Sequence, residues 1–264
     1  MEKKNVKTLV VSIVCIIVAL FLYQNDRFLI KLVTSNPYYA RCLSQLLFAV
    51  YGIIALIILK RLNVLKFKTE GFGTGIVVAA FILVFDGFML LMSIAQKTPI
   101  TATPLEITCF ALQMVLIGVS EEILFRGIFQ NAIMDYIGYD SVNKIRLGIV
   151  ITGFAFGLTH LINGFSPEIG FSHAAIQALN VSFTGMIFAT AYFRSNKNLW
   201  VVILIHAFGD AMAFIYGGGL SGVAPSETIG SNSVSIGLFA PILPALAVMW
   251  IIRKKKLEEY ISVE

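Results

Sequence analysis

The sequence predicts an all-α protein: a polytopic transmembrane helix bundle of about eight spans, with its N- and C-termini in the cytoplasm. Three observations carry this. Of the 264 residues, 58% are hydrophobic and only 13% are charged, about half the charged share of an ordinary soluble domain. The mean hydropathy is +0.85, and the apolar residues lie in blocks that reach or approach the roughly 20 residues a spanning helix needs. The basic residues collect in alternate connections between these blocks, as the positive-inside rule expects.

In the first block, 6–23, Lys3, Lys4 and Lys7 precede the apolar core, which so resembles a signal peptide. "FLYQND" after it offers no small-x-small cleavage site, so the segment is expected to stay as an anchor. The blocks 42–59 and 73–94 are plain, apart from Asp86 in "LVFDGFML", which is expected to pair with a neighbouring helix. The fourth, 107–134, contains "SEEILFRG" and turns amphipathic in its second half. Spans 146–162, 172–193 and 199–216 hold most of the remaining intramembrane polar residues, and 235–252 is plain again. We read one transmembrane domain over 1–264, in which 105–215 form the core that carries the motifs. The Gly- and Ser-rich stretch 217–233 reads as a flexible extracytoplasmic connector.

With the N-terminus inside, fifteen of the twenty Lys and Arg residues fall on the cytoplasmic side: Lys3, Lys4, Lys7, Lys60, Arg61, Lys66, Lys68, Lys144, Arg146, Arg194, Lys197 and Arg253 to Lys256. Arg27, Lys31, Arg41 and Lys97 fall outside, and Arg126 lies within the fourth span. The net charge of +5 therefore reflects loops facing anionic headgroups and points to no nucleic-acid partner. "RKKK" at 253–256 reads as a stop-transfer flank. Cys15, Cys42 and Cys109 have no CxxC spacing and read as small buried hydrophobes.

An ionised group at the bilayer centre costs about 2.5–3.5 kcal/mol on insertion scales, so such residues face a cavity or a partner. On a helix Glu122 and Arg126 are i, i+4 neighbours in the favourable order, and Glu121 is rotated by about 100° from that pair. The fifth span ends in "FGLTHLIN", placing Phe156 and His160 one turn apart, with Asn163 following. The seventh contains "HAFGD", placing His206 and Asp210 one turn apart on one face. Counting about 1.5 Å per residue, His160 lies roughly 21 Å and His206 roughly 10 Å from the cytoplasmic ends of their spans. A shared layer therefore requires tilt or a shifted boundary. Gln113, Gln177 and Asn180 read as interhelical hydrogen-bond partners, while His173 at a span edge needs no special role.

A carboxylate assisted by an imidazole can take a proton from water as that water attacks a carbonyl. A second imidazole with its i+4 neighbour can donate to the developing oxyanion. No Ser or Cys triad competes: Ser120 is expected to make a local backbone hydrogen bond instead. Two His and a carboxylate also form a zinc set, so metal dependence stays open. HExxH is absent, however, and the ligands would come from three helices. We expect no metal or other cofactor.

"EEILFRG", "FGLTHLIN" and "HAFGD", in this order on successive spans, resemble the EExxxR, FxxxH and HxxxN/D motifs of the CPBP family. These are the CAAX proteases and bacteriocin-processing enzymes, also called the Abi family. The resemblance covers about residues 105–215. It implies an intramembrane glutamate endopeptidase of eight helices, similar to the type II CAAX prenyl endopeptidases, with a cavity open to the cytosol and the bilayer. It makes Glu121 the base that activates water, His160 its assistant, and His206 with Asp210 the oxyanion-stabilising pair. Glu122, Arg126, Phe156 and Asn163 are then supporting residues. Eukaryotic and archaeal members carry Asn where this chain has Asp210, and an ionised Asp cannot donate. Short loops and Ile-, Lys- and Asn-rich usage point to a bacterial cytoplasmic membrane. There the expected partners are the lipid bilayer and a peptide or protein substrate at the membrane. Rival readings are a non-catalytic scaffold or bacteriocin-immunity protein of the same fold, and an ion-coupled carrier. The sequence indicates no oligomeric state.

Overall fold

A computed structural model describes residues 3–97, 99–165, 170–221 and 242–261. Among them every regular element is a helix. The long apolar helices are α1 (Lys3–Lys31), α2 (Pro37–Ile58), α5 (Pro104–Glu122), α7 (Val142–Thr159), α8 (Phe171–Arg194) and α9 (Leu199–Tyr216). A π-helical turn, Ile123–Gln130, continues α5 into α6 (Asn131–Ile137), and a 3₁₀ segment, His160–Phe165, continues α7. The described residues hold six helices long and apolar enough to span a membrane.

The expected third span, 73–94, is instead two helices, α3 (Phe72–Val78) and α4 (Ala80–Gln96), bent by 66°. No proline marks the bend. Gly75 seats α3 against Val201 and Ser195, where a Cβ would overlap Val201, and that contact fixes the direction of α3 independently of α4. Of the expected eighth span, α10 (Ile242–Ile251) is described and 235–241 lie outside the described residues. So do residues 222–233 of the expected connector.

Local chemistry explains where the helices start. Asn36 accepts from the backbone N–H groups of Tyr38 and Tyr39, and Pro37 supplies a helical φ at the first position. Thr103 and Glu106 form a reciprocal capping box ahead of α5, again with a proline in place, Pro104. Ser141 and Asn198 cap α7 and α9 by accepting from Lys144 and Trp200.

The bundle has two distinct ends. At one, the segments carrying Arg61, Lys68, Arg146 and Arg194 are tied together. Arg61 pairs with Asp135, whose other oxygen accepts from Tyr139 at 2.7 Å. Lys68 donates to the Asn196 carbonyl at 2.9 Å, and Trp200 Nε1 donates to the Leu65 carbonyl at 2.8 Å. Arg146 Nε donates to Ile252 O at 2.7 Å, and Tyr260 donates to Arg194 O at 3.1 Å. Lys197 lies 5.0 Å from the Tyr139 ring centre, and burial pushes its pKa down while that of the Tyr139 hydroxyl is pushed up. At the other end Asn36 donates to Glu106 at 2.8 Å, Tyr38 to Gly219 O at 2.9 Å, and Thr101 N to Leu220 O at 3.0 Å. The basic loops expected on one side of the membrane thus meet at one end of the molecule.

Candidate active site

The site forms where α5 passes into the π-helical turn. Glu122 and Arg126 are both fully buried. Glu122 Oε1 accepts from Arg126 Nη1 at 2.9 Å and lies 2.7 Å from His206 Nδ1. An ionised carboxylate can only accept, so Nδ1 carries the proton of that bond. Arg126 Nη2 donates to Gly185 O at 3.0 Å, and its guanidinium lies 4.6 Å from the Phe156 ring centre and 5.3 Å from that of Phe188. One turn on, Gln130 Nε2 donates to Ala189 O at 2.8 Å. Arg126 and Gln130 therefore hold α8 at carbonyls that are also one turn apart. The wider π turn loosens the i→i−4 ladder, and Asn131 Nδ2 donates to the Arg126 and Gly127 carbonyls at 3.1 and 3.0 Å.

His206 joins this closed pair to a more open one. Its Nε2 lies 3.7 Å from Glu121 Oε2 and 3.6 Å from Asp210 Oδ2, side chains 33% and 30% exposed. Each separation is too long for a hydrogen bond but leaves the charges close enough to interact strongly. The i, i+4 partner expected for His206 is therefore in place, and so is the pairing of Glu122 with Arg126 that turns Glu121 elsewhere.

Phe156 is the hub between the two histidines. Its ring centre lies 5.1 Å from that of His160, 5.9 Å from that of His206 and 4.8 Å from that of Phe125, edge-on in each case. His160 Nδ1 lies 3.1 Å from the Phe156 carbonyl. Because a carbonyl only accepts, Nδ1 donates and Nε2 keeps its lone pair in the neutral ring. No hydrogen bond joins His160 to Glu121. α7 begins at Val142, ahead of the expected boundary, so a shifted boundary does not bring the two histidines together; both rings nevertheless meet Phe156.

Close helix approach makes this convergence possible. A Cβ at Gly157 would overlap Ser182 Oγ and the Ala178 carbonyl, so α7 and α8 touch backbone to backbone there. A Cβ at Gly118 would come within 2.7 Å of Ile203 O, which sets the α5–α9 crossing just before Glu121. "GFAFG", 153–157, is the small-xxx-small spacing of close membrane crossings and was a usable signal for the first of these contacts.

Asn163, expected among the supporting residues, donates to Gln177 Oε1 at 2.9 Å and has no bond to the acid–histidine group. Ser120 donates to Ile117 O at 3.1 Å, a local backbone bond as expected. Asp86, for which lining the cavity was the alternative to pairing with a neighbouring helix, lies next to the site. It is 7% exposed, its Oδ2 has no hydrogen-bond partner, and a Cβ at Gly209 would lie 3.0 Å from that oxygen. It thus packs on α9 beside Asp210, with Oδ2 turned to the bare backbone at Gly209. Cys15, Cys42 and Cys109 are free thiols. Among the described residues no group of three His, Cys, Asp or Glu side chains is placed to hold a metal ion.

Long apolar helices around a buried acid, arginine and histidine group define a multi-pass membrane protein with a polar site inside its bundle. Residues 103–212, which run from the cap of α5 into α9 and include all three motifs, match the family described as "Type II CAAX prenyl endopeptidase Rce1-like". The match supports membership of the CAAX protease (CPBP) family over this segment. No curated protein and no solved structure matches the chain.

Proposed function

We propose that the chain is a multi-pass membrane endopeptidase that hydrolyses a peptide bond with water activated by Glu121 and His160. The observation that carries this is the division of the site at His206: a dry, fully buried Glu122–Arg126 pair on one side, and Glu121 with Asp210, each about one-third exposed, on the other. The family match supports the reaction class.

Water held between Glu121 and the free Nε2 of His160 attacks the carbonyl carbon, and Glu121 takes its proton. The oxyanion forms beside His206, which donates from Nε2 when its ring carries both protons, with Glu122 accepting at Nδ1. Asp210 orients that imidazole. The amine leaves with the proton collected by Glu121. Arg126, held between two aromatic rings, neutralises Glu122 and stops the acid layer from carrying excess charge. The chain crosses the membrane eight times, counting the bent α3–α4 pair and the apolar segment 235–252 as one span each. Both termini face the cytoplasm of a bacterial cell.

The test compares peptides from cells expressing wild type and Glu121→Gln at equal abundance, with new termini read by mass spectrometry. A wild-type-dependent terminus that falls about 10²–10⁴-fold in the variant is expected, the usual weight of a general base. An unchanged terminus pool, with the cellular phenotype intact, would favour a non-catalytic scaffold or immunity protein built on the same fold.

A further inference from the structure

Asp86 is a buried acid that the reaction above leaves without a task. It sits on α4, 7% exposed, and its Oδ2 has no hydrogen-bond partner. The carboxyl group is turned to α9: a Cβ at Gly209 would lie 3.0 Å from Oδ2 and 3.6 Å from Oδ1. The bare backbone at Gly209 lets an acid on α4 come this close to α9, one position before Asp210. Its charged neighbours there are Asp210 and His206. Beyond His206 stand Glu121, Glu122 and Arg126. α3 and α10, which also pack on α4, carry no titratable residue. Asp210 for its part lacks support. Its Oδ2 is 3.6 Å from His206 Nε2, and no hydrogen bond among the described residues fixes the carboxyl group.

Ionised, Asp86 would bury a charge with no donor and set it beside a second carboxylate, and both arrangements are costly where water is scarce. Protonated, it gains one O–H that needs an acceptor. Resting on the peptidase reading above, we infer that Asp86 is a positioning residue: it and Asp210 hold one proton between them, and the O–H···O bond so formed fixes Asp210 against His206. Carboxyl groups that share a proton in this way titrate as a unit. Asn at position 210 would carry its own amide hydrogens, whereas Asp210 depends on a hydrogen from its neighbour. His206 is then steadied on both sides, by Glu122 at Nδ1 and by a fixed Asp210 beside Nε2. Asp86 lies outside residues 103–212, so the family match does not cover it.

Infrared spectra test the shared proton without any substrate. The purified full chain is compared in detergent with Asp86→Asn and with Asp210→Asn at neutral pH. The carbonyl stretch of a protonated carboxylic acid is expected in the wild type, absent from Asp86→Asn and shifted in Asp210→Asn. A wild type without that band, or a band that Asp86→Asn leaves in place or Asp210→Asn leaves unmoved, overturns the inference. Turnover is then read on a synthetic peptide spanning the wild-type-dependent terminus. Asp86→Leu removes the shared hydrogen and keeps the shape. Its kcat should fall about 10–100-fold, the weight of one hydrogen bond to a charged group, with KM and melting temperature unchanged. Asp86→Asn, whose amide still donates, should recover most of that loss. No loss in Asp86→Leu, or a loss matched by a fall in thermal stability, overturns the positioning role. Should Asp86→Leu fail to fold, the infrared comparison of Asp86→Asn carries the test. The infrared measurement needs no peptidase activity, so it can fail while the Glu121→Gln comparison succeeds, and the reverse.

Discussion

Compare the two i, i+4 acid–base pairs that lie on consecutive stretches of the chain. Glu122 and Arg126 meet at 2.9 Å with neither side chain exposed; Asp140 and Lys144 meet at 2.8 Å with side chains 66% and 46% exposed. Spacing and distance are nearly the same, yet the first fixes a bundle and the second decorates a loop. The difference lies in what surrounds each pair. Around the first, removal of water makes every unpaired charge costly, and Phe156, Phe188, His206 and Gly185 O surround the pair, while Glu122 Oε2 and Arg126 Nε keep no hydrogen-bond partner. Charge patterns acquire consequences only where the solvent has been excluded.

Breaking the buried pair is the largest effect expected. Arg126→Met leaves Glu122 ionised in a dry site, and removing one partner of a buried pair costs about 3–5 kcal/mol. The melting temperature in detergent should fall steeply and the amount of folded protein with it. Adding Glu122→Gln to Arg126→Met should recover part of the loss, because the stranded charge is gone. A double variant no better than the single one would show that Arg126 acts chiefly through its rings and the Gly185 carbonyl.

The next effect tests how the site is assembled. Gly157→Ala places a methyl group on Ser182 Oγ and the Ala178 carbonyl, and overpacking of this kind costs about 1–3 kcal/mol. Phe156 precedes Gly157 and supports both histidines, so proteolysis should fall more than thermal stability does. Equal losses in the two measurements would reduce Gly157 to a packing residue.

Much of this arrangement was legible from residue types and spacing. Hydropathy gave the long helices, the Lys and Arg distribution gave the single basic end, and three i, i+4 spacings gave Glu122–Arg126, Phe156–His160 and His206–Asp210. Spacing could not say which carboxylate His206 would bond. Glu121 and Glu122 differ by one residue, and only the packing of α5 on α9 at Gly118 decides that Nδ1 meets Glu122. The bend between α3 and α4 was hidden for the same reason, since it follows from contact with the α8–α9 turn and not from any local breaker. The π-helical turn was equally silent: its support comes from Asn131 and Gln130 reaching carbonyls that no periodicity reveals.

Asp86 sharpens the comparison, being buried like Glu122 but lacking its partners. Asp86→Asn keeps the shape against Gly209 and removes an uncompensated carboxylate. The melting temperature should therefore hold or rise, by the equivalent of about 1 kcal/mol. A clear fall would mean that a donor holds this carboxylate in the membrane, and that α4 pairs with its neighbours as the sequence alone suggests.

The smallest effect closes the comparison. Lys144→Ala removes a pair with the spacing of Glu122–Arg126 and a distance within 0.1 Å of it. Exposed pairs of this kind contribute at most about 1 kcal/mol, because water already solvates both ends and the long side chain loses freedom in forming the contact. The variant should melt within experimental error of the parent at any salt concentration. A salt-sensitive loss would show instead that the Asp140–Lys144 pair helps to hold the α6–α7 turn. The basic end would then owe part of its closure to surface charge, and not to the part-buried bonds of Asp135 and Trp200 alone.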